Sequence, residues 1–404
     1  MKTWRLAAAL SGSSSAVLPA ALIAVTGVLL AVVTEPTTSV WVGRAQNTAS
    51  YATVFGFAIA GCLSVAAGFL AGSSLARDEH TLLRRGTRSV TSVIAVKGAG
   101  DLLLLWTGLL VALAAAFAAT AAHGGGFRWD SWLAVPVACG SVAATYGSGL
   151  LAGALVRHHA ALIVFAPLPY AATLWSSSLS LNLQFGRAHF LLGPFVDQSW
   201  FPGSVPDPIS FAGLAAYVTG AALVFGSVTI AWLQRLHRQQ PAGSGLRLLA
   251  TAVTVLAAGH VLVVGAPNWF GRTNPAGVVC TASASPICLW ADQAHQTPTW
   301  EAAARDVHTA TTGLPVQPRR YVQTFVPLQA PEDLEVQTPH PQPEVAELRQ
   351  VMLETRVVEL LDDCPMGHPE AHQELWSLFA DRIAGDLTPA EAATTYDTIR
   401  ARCG

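Results

Sequence analysis

Long apolar stretches separated by short polar segments dominate the first two thirds of the chain. A membrane-spanning helix needs roughly 20 apolar residues, because the hydrocarbon core of a bilayer is about 30 Å thick and a helix rises about 1.5 Å per residue. Seven stretches fit this length and lie near residues 16–33, 51–76, 102–122, 133–156, 160–180, 210–233 and 248–265. The pattern predicts a membrane all-α fold, a polytopic bundle of about seven transmembrane helices.

The composition of the chain supports two regions in different solvents. Charged residues make up 12% of the sequence and apolar residues 52%, whereas soluble domains are about 25% charged. Of the 25 acidic residues, seven precede residue 266 and eighteen follow it. We therefore expect a transmembrane domain over residues 1–265 and a small polar domain over residues 266–404.

The distribution of Lys and Arg predicts the orientation of the bundle. Short cytoplasmic loops carry an excess of these residues. With the N-terminus inside, cytoplasmic segments hold eleven of them and the outer loops before residue 266 hold three. An odd number of spans then places the C-terminal domain outside, in the plasma membrane of the cell. A cleaved signal peptide over residues 1–33 is the alternative, and it would leave the other six spans in place.

Four of the six cysteines fall in the predicted outer domain, namely Cys280, Cys288, Cys364 and Cys403. Disulfides persist outside the cytoplasm, so an even set here indicates disulfide bonds. Strand-like segments flank Pro286 and predict a hairpin that brings Cys280 close to Cys288. Cys364 and Cys403 then remain as a second pair. The two other connectivities stay open, as does a set of four free thiols.

The C-terminal domain is predicted to be α+β. Residues 299–312 have a helical pattern that ends at Gly313, residues 320–326 resemble a strand, and residues 327–343 contain five prolines and predict an extended connector. Helices are expected at 344–361 and 370–384. A third begins at the capping box of Thr388 and Glu391, with Pro389 at its first position.

Charged side chains are absent from all seven predicted spans, in which His260 is the readily ionisable residue. Ion-coupled transporters place acids or bases near the bilayer midplane to bind the coupling ion. The sequence therefore argues against ion coupling. Two glycine pairs, Gly68 with Gly72 and Gly149 with Gly153, predict helix faces that approach closely, as ordinary packing surfaces.

Energy from ATP would have to come from another subunit. The two lysines, Lys2 and Lys97, follow Met1 and Val96, so the Gly-Lys-[Ser/Thr] phosphate loop of ATPases cannot form. A charged segment, 77–101, is expected on the cytoplasmic side between the second and third spans. Its candidate partner-binding side chains are Arg77, Asp78, Glu79, Arg84, Arg85 and Arg88. The arginines alone could be explained as positive residues that set the membrane topology. That role does not require the adjacent acidic residues.

These features resemble the permease subunits of type-2 ABC exporters. Such subunits have six spans, a charged coupling segment between the second and third, and a partly amphipathic outer loop between the fifth and sixth, here 181–208. The resemblance covers residues 1–233 by architecture and 77–101 by local pattern. The whole chain is also similar to actinobacterial membrane proteins identified as such permeases, which carry an extracytoplasmic domain with late cysteines like Cys364 and Cys403.

The resemblance implies a transport permease that works with an ATP-binding cassette subunit. ATP would bind to that partner, this chain would hold no cofactor, and two membrane subunits, alike or different, would form a dimer in the lipid bilayer. A seventh span and the outer domain depart from the family pattern. The alternative function is a membrane-anchored sensing or interaction protein whose outer domain binds a ligand or partner.

Enzymatic and metal-binding readings are disfavoured by spacing. Ser148 and His260 suggest an intramembrane serine protease, but their depths in the predicted topology, roughly 24 Å and 8 Å from the outer surface, differ too much for a hydrogen bond of about 3 Å. His368 and His372 would share a helix face, but Pro369 stands where a metalloprotease needs Glu. We expect no enzyme activity, no metal site and no nucleic-acid binding in this chain.

Overall fold

The computed structural model of the protein describes fifteen segments of the chain. They are residues 15–33, 45–77, 89–125, 129–156, 158–180, 205–206, 208–236, 243–265, 270–271, 277–282, 286–314, 320–323, 333–336, 343–361 and 369–402. The predicted outer loop 181–208 lies almost entirely outside these segments. The two larger hydrophobic cores lie among the apolar helices and within the C-terminal domain.

Eight helices make up the apolar part of the described chain. They are α1 Val17–Val33, α2 Ala45–Ala76, α3 Val90–Ala122, α4 Ala134–Val156, α5 Leu162–Phe165, α6 Leu168–Ser180, α7 Pro208–Leu236 and α8 Gly243–Gly265. Four apolar segments, Tyr51–Ala76, Val90–Ala122, Ser131–Val156 and Pro208–Leu236, are long and apolar enough to cross a membrane. Those segments confirm the membrane helices by length and composition. A total of seven spans stays a prediction, because the other three apolar segments are shorter.

Contacts between side chains fix the relative directions of α2, α3 and α4. The hydroxyls of Thr48 and Thr120 lie 2.5 Å apart, at the start of α2 and the end of α3. The Trp106 indole of α3 donates to the carbonyl of Cys139 in α4 at 2.9 Å. Helix α3 therefore runs antiparallel to α2 and to α4, while α2 and α4 run parallel to each other.

The remaining helices continue this alternation. Helix α7 runs parallel to α4, because Gly140 meets Val218 and Gly147 meets Phe225. Helix α8 returns antiparallel to α7. One end of the bundle, which we call the Arg77 end, is where α2, α4 and α7 end and α3 begins. The opposite end, the Gly124 end, is where α3 and α8 end.

Reciprocal glycine contacts explain why α2 and α4 pack so closely. A Cβ at Gly68 would lie 2.1 Å from the Tyr146 carbonyl oxygen, and one at Gly72 would lie 2.0 Å from that of Leu150. The glycines of α4 do the same in return. Those at positions 149 and 153 face the carbonyl oxygens of residues 65 and 69 at 2.3 and 2.1 Å. The prediction of close packing at both glycine pairs is confirmed.

Helix α3 begins much earlier than the sequence predicted. It starts at Val90 rather than near residue 102, with Ser89 as N-cap accepting from the Ser92 amide. Lys97 and Asp101 are consequently buried inside the bundle. The candidate span Val90–Ala122 therefore includes two charged residues that the predicted span 102–122 does not. The placement of residues 77–101 on the cytoplasmic side stays a prediction. The i, i+4 spacing lets the two charges neutralise each other within one helix.

Five of the six predicted partner-binding side chains are not among the described residues. Arg77 is described, at the end of α2. The others, Asp78, Glu79, Arg84, Arg85 and Arg88, lie outside the described residues.

The fifth predicted span is an interrupted helix. A 3₁₀ turn at His159–Ala161 leads into α5, a turn at Ala166 and Pro167 follows, and α6 then resumes. Pro167 and Pro169 have no backbone N–H, so two helical hydrogen bonds are missing at this point. The break follows from these two prolines.

The C-terminal domain combines a four-stranded sheet with four helices. Its strands are β3 Val278–Cys280, β4 Ile287–Trp290, β5 Arg320–Gln323 and β6 Asp333–Val336, in that order across the sheet. Strands β3 and β4 pair antiparallel, and the other two pairings are parallel. The helices are α9 Thr297–Thr311, α10 Val345–Leu360, α11 Pro369–Ala384 and α12 Pro389–Ala401. Sequence reasoning missed β6, which it placed in the extended connector.

Several local predictions for this domain are confirmed. Cys280 and Cys288 are disulfide-bonded as directly opposed residues of β3 and β4. Thr388 and Glu391 form the capping box at the start of α12. The hydrogen bond from the Thr388 backbone N–H, together with the one from its hydroxyl, lowers the pKa of Glu391. Cys364 and Cys403 lie outside the described residues.

The C-terminal domain contacts the bundle at the Gly124 end. Gly124 has a φ of +79°, and a Cβ there would lie 2.8 Å from the imidazole of His295. A two-stranded ribbon adds a second link near α7 and α8. It pairs β1, Val205–Pro206, with β2, Phe270–Gly271, just before α7 and just after α8.

Candidate functional site: an apolar groove and a buried ion pair

A groove of about 530 Å³ runs along the bundle between α2, α4, the interrupted helix α5–α6 and α7. Its volume lies within the range of about 300–1,000 Å³ typical of small-molecule sites. The lining is apolar on every wall and includes Phe57, Val65, Leu151, Phe165, Pro169 and Phe225. The groove therefore suits an apolar ligand.

Two hydroxyl groups of the groove lining, those of Thr145 and Ser148, bond to their own helix. Thr145 Oγ1 donates to the carbonyl of Ser141 and Ser148 Oγ donates to the carbonyl of Thr145, both at 2.8 Å. These hydroxyls therefore have their donor hydrogens occupied.

Ser148 and His260, the residues of the disfavoured protease reading, are not brought together. Ser148 lies in the groove on α4, whereas His260 is exposed on α8. Gly259 contacts Tyr217 on α7, and the next residue of α7, Val218, contacts Gly140 on α4. His260 is therefore level with the region of Gly140, about 12 Å along the helix axis from Ser148.

A buried ionic cluster lies on the other side of α4. Lys97 Nζ is 3.5 Å from Asp101 Oδ2, and both side chains are at most 4% exposed. The Tyr146 hydroxyl of α4 donates to the same carboxylate oxygen at 2.8 Å. The cluster joins α3 to α4 through a charge-assisted hydrogen bond.

The depth of the ionic cluster can be measured along α3. Gln234 of α7 donates to Thr91 at 3.2 Å, which marks the Arg77 end. Asp101 lies about 15 Å further along α3. The cluster therefore lies in the interior of the bundle, where charges persist only when they are paired.

At the Arg77 end, a polar contact joins the end of α2 to the start of the interrupted helix. Arg77 Nη1 lies 2.9 Å from His159 Nε2, and both side chains are exposed. The groove ends nearby, since Val156 at the end of α4 is one of its lining residues. Inside the bundle, Phe69 and Phe165 stack with ring centroids 6.1 Å apart, which aligns α5 with α2.

The C-terminal domain carries a second groove, of about 900 Å³, between α10 and α11. Trp376 and Phe379 supply apolar surface, while Glu347, Arg349 and Gln350 supply polar groups. Arg349 also bonds to Asp306 of α9 at 3.0 Å. The groove thus combines aromatic surface with charged side chains.

Among the residues that the structure describes, no group of three or more His, Cys, Asp or Glu side chains could hold a metal ion. His372 lies on α11, and His368 falls outside the described part of the chain.

Sequence reasoning missed the cluster of Lys97, Asp101 and Tyr146. The available signal was the i, i+4 spacing of the Lys and the Asp directly before a long apolar run, which places both charges on one helix face. Comparison of the chain with known protein families, curated proteins and solved structures finds no match. Function is therefore inferred from the side chains and distances of the groove and its surroundings.

Proposed function

We propose that this chain is the membrane permease subunit of a transporter that is driven by a separate ATP-binding subunit. The observation that carries the proposal is the connection between the groove and the Arg77 end. Helix α5–α6 forms one wall of the groove, and it begins beside His159, which is bonded to Arg77 at the end of α2. Force applied at Arg77 would therefore reach the groove wall directly.

The interrupted helix is the wall that would move. Its backbone lacks two hydrogen bonds at Pro167 and Pro169, so bending there costs less than in a continuous helix. The opposite walls are held more firmly. The glycine contacts fix α4 to α2, and the cluster around Asp101 fixes α4 to α3. Opening and closing of the groove would follow from movement of α5–α6 against this rigid unit.

The orientation of the chain in the membrane is part of the proposal. The bias of Lys and Arg places the Arg77 end in the cytoplasm, where an ATP-binding subunit is accessible. The C-terminal domain, which contacts the Gly124 end through His295, then lies outside the cell. The disulfide between Cys280 and Cys288 is compatible with that oxidising compartment.

The test is co-purification in mild detergent, followed by identification of any ATP-binding subunit that accompanies the chain. Arg77→Lys removes the planar guanidinium that meets His159, and a Lys cannot reproduce its geometry. We expect this variant to recover the ATP-binding subunit at least fivefold less well. Arg235→Lys is the matched control, because Arg235 is exposed in the last turn of α7 at the same end of the bundle.

Two results would count against the permease. One is the absence of any ATP-binding subunit with the intact chain. The other is equal recovery with Arg77→Lys and with wild type, which would show that the Arg77 end does not carry the coupling contact.

A membrane-anchored sensing or interaction protein is the second candidate function. It is supported by the groove between α10 and α11, where Trp376 lies beside charged side chains. Trp and Arg are enriched among the residues that dominate binding energy in protein interfaces. If cross-linking in intact cells recovers an extracellular partner that Trp376→Ala abolishes, and no ATP-binding subunit, this function replaces the permease.

A further inference from the structure

We propose that the groove between α2, α4, α5–α6 and α7 binds one acyl chain of an anionic amphiphile, with the anionic headgroup at Arg77 and His159. This inference rests on the proposed function, since it names the substrate class of the same groove. It commits to a membrane lipid with a negatively charged headgroup as the occupant.

The lining of the groove selects hydrocarbon over polar ligands. None of its lining residues is charged. The donor hydrogens of Thr145 and Ser148 are occupied within α4. A ligand with many polar groups would leave them unpaired in this environment, which is unfavourable. A methylene chain has no polar groups to leave unpaired in the groove.

The shape of the groove fits a single extended chain. Its lining residues on α4 run from Ala144 to Val156, which is about 18 Å along the helix. A volume of about 530 Å³ spread over that length is long and narrow. The groove is partly open rather than fully enclosed, so a lipid could enter it from the side of the bundle.

The charges at the mouth of the groove provide the complementary headgroup site. Val156 is the last groove residue on α4, and His159 begins the next helical turn only three residues later. His159 and Arg77 are both exposed and lie within hydrogen-bonding distance of each other. A guanidinium presents a planar fork of donors that matches phosphate and carboxylate oxygens. An anionic headgroup placed here would leave its acyl chain directed along α4 into the groove.

The experiment measures binding of two fluorescent single-chain lipids to the full chain in lipid nanodiscs. One is a lysophosphatidylglycerol, which is anionic, and the other is a lysophosphatidylcholine with the same acyl chain. We expect wild type to bind the anionic lipid at least tenfold more tightly. Arg77→Gln should remove this preference without changing the affinity for the choline lipid.

Variants that fill the groove test the acyl-chain site. Ala152→Phe on α4 should weaken binding of both lipids more than tenfold, and the milder Ala221→Leu on α7 should weaken it several-fold. Ala114→Phe is the matched control, because Ala114 is an exposed position of α3 outside the groove. Size-exclusion profiles would identify any variant that fails to fold. In that case Ala221→Leu alone decides the question.

Equal binding of both lipids by wild type, or unchanged binding by the groove variants, would overturn this inference. Binding is measured without any partner, so its outcome is separable from that of the permease proposal. If lipid binding follows expectation but no ATP-binding subunit is recovered, the ligand assignment is supported and the permease proposal is contradicted. If the ATP-binding subunit is recovered but the groove variants bind like wild type, the ligand assignment falls alone.

Discussion

Among single residues, Lys97 and Asp101 depend most strongly on compensating contacts from the rest of the protein. Both charges are removed from solvent in the interior of the bundle, where each would be costly alone. Their attraction and the Tyr146 hydroxyl offset that cost. A buried pair of this kind adds little net stability, but removal of one partner is expensive. The pair therefore acts more to specify how α3 meets α4 than to strengthen the bundle.

A double-mutant cycle tests this interpretation. Lys97→Met and Asp101→Asn should each destabilise the protein by about 3–5 kcal/mol, because each leaves one buried charge unpaired. The double variant replaces both charges by neutral side chains of similar shape and should recover most of that loss. Thermal unfolding in detergent measures all four proteins. Additive losses in the double variant would show that the two charges do not interact.

The disulfide at Cys280 and Cys288 is a second feature of residue scale. Non-reducing peptide mass spectrometry should find these two cysteines linked, while Cys62 and Cys139, which are free thiols in the structure, should react with an alkylating agent once the protein is denatured. Replacement of both linked residues by Ser should lower the free energy of unfolding by about 2 kcal/mol, since the bridge closes a short loop. Alkylation of Cys280 and Cys288 without reductant would contradict the bond.

At the scale of helices, small residues decide which pairs can approach. Helices α2 and α4 touch through backbone at four glycines, and α1 meets α3 in the same way at Gly27 and Gly108. Within a membrane, close packing of this kind replaces the hydrophobic driving force that water supplies elsewhere. Over α5, the interrupted helix meets α2 through side chains, where Phe69 and Phe165 stack ring to ring. Rigid and movable walls of the groove thus differ in the type of contact that holds them.

A matched pair of glycine substitutions separates contact from helix propensity. Gly149→Ala would place a methyl group about where the Val65 carbonyl oxygen stands, so we expect a loss of about 1–3 kcal/mol from overpacking. Gly98→Ala on α3 meets no atom within 4 Å and should be neutral or stabilising by up to about 1 kcal/mol. Unfolding temperatures in detergent would compare them. Equal effects would mean that the α2–α4 contact is looser than described.

At the scale of the whole molecule, the two ends of the bundle differ in what they carry. The Arg77 end has the polar contact with His159, and the Gly124 end has the C-terminal domain. Energy input and extracellular recognition would thus take place at opposite surfaces of the membrane, with the groove between them.

Fusions to a reporter that is active only outside the cytoplasm test this arrangement. A fusion after Gly404 should be active and one after Arg88 should be inactive, because the excess of Lys and Arg predicts that the Arg77 end lies inside. The activities are measured in intact cells at matched expression. The reverse pattern would place the Arg77 end outside and remove the basis for an ATP-driven permease.

The bounds of several helices could be predicted because hydrophobic length alone sets them. Helices α2 and α4 end at Ala76 and Val156, as expected from the sequence. The start of α3 could not be predicted in this way, because Lys97 and Asp101 ended the apolar window even though they pair within the helix. A hydrophobicity scale assigns a value to each residue separately, so it does not show that two charged residues form an ion pair.

The groove could not be predicted from the sequence, for a different reason. It depends on how α2, α4 and α7 pack around an interrupted helix, and residues such as Val65 and Phe225 come together only in the folded chain. Pro167 and Pro169 signalled the interruption, but not what would lie beside it. The capping box at Thr388 was predictable because its hydrogen bonds are local.

The parallel contact between α2 and α4 also has a consequence for biosynthesis. Gly68 and Gly72 leave the ribosome roughly 80 residues before the glycines of α4 that complete their packing, a delay of about 4–16 s at about 5–20 residues per second. During that interval α3 is already inserted but cannot cover the glycine face of α2, which meets α4 alone through these carbonyl contacts. In the nascent protein, the glycine face of α2 must therefore be covered by something other than α4. An insertase or surrounding lipids would cover it until α4 is inserted.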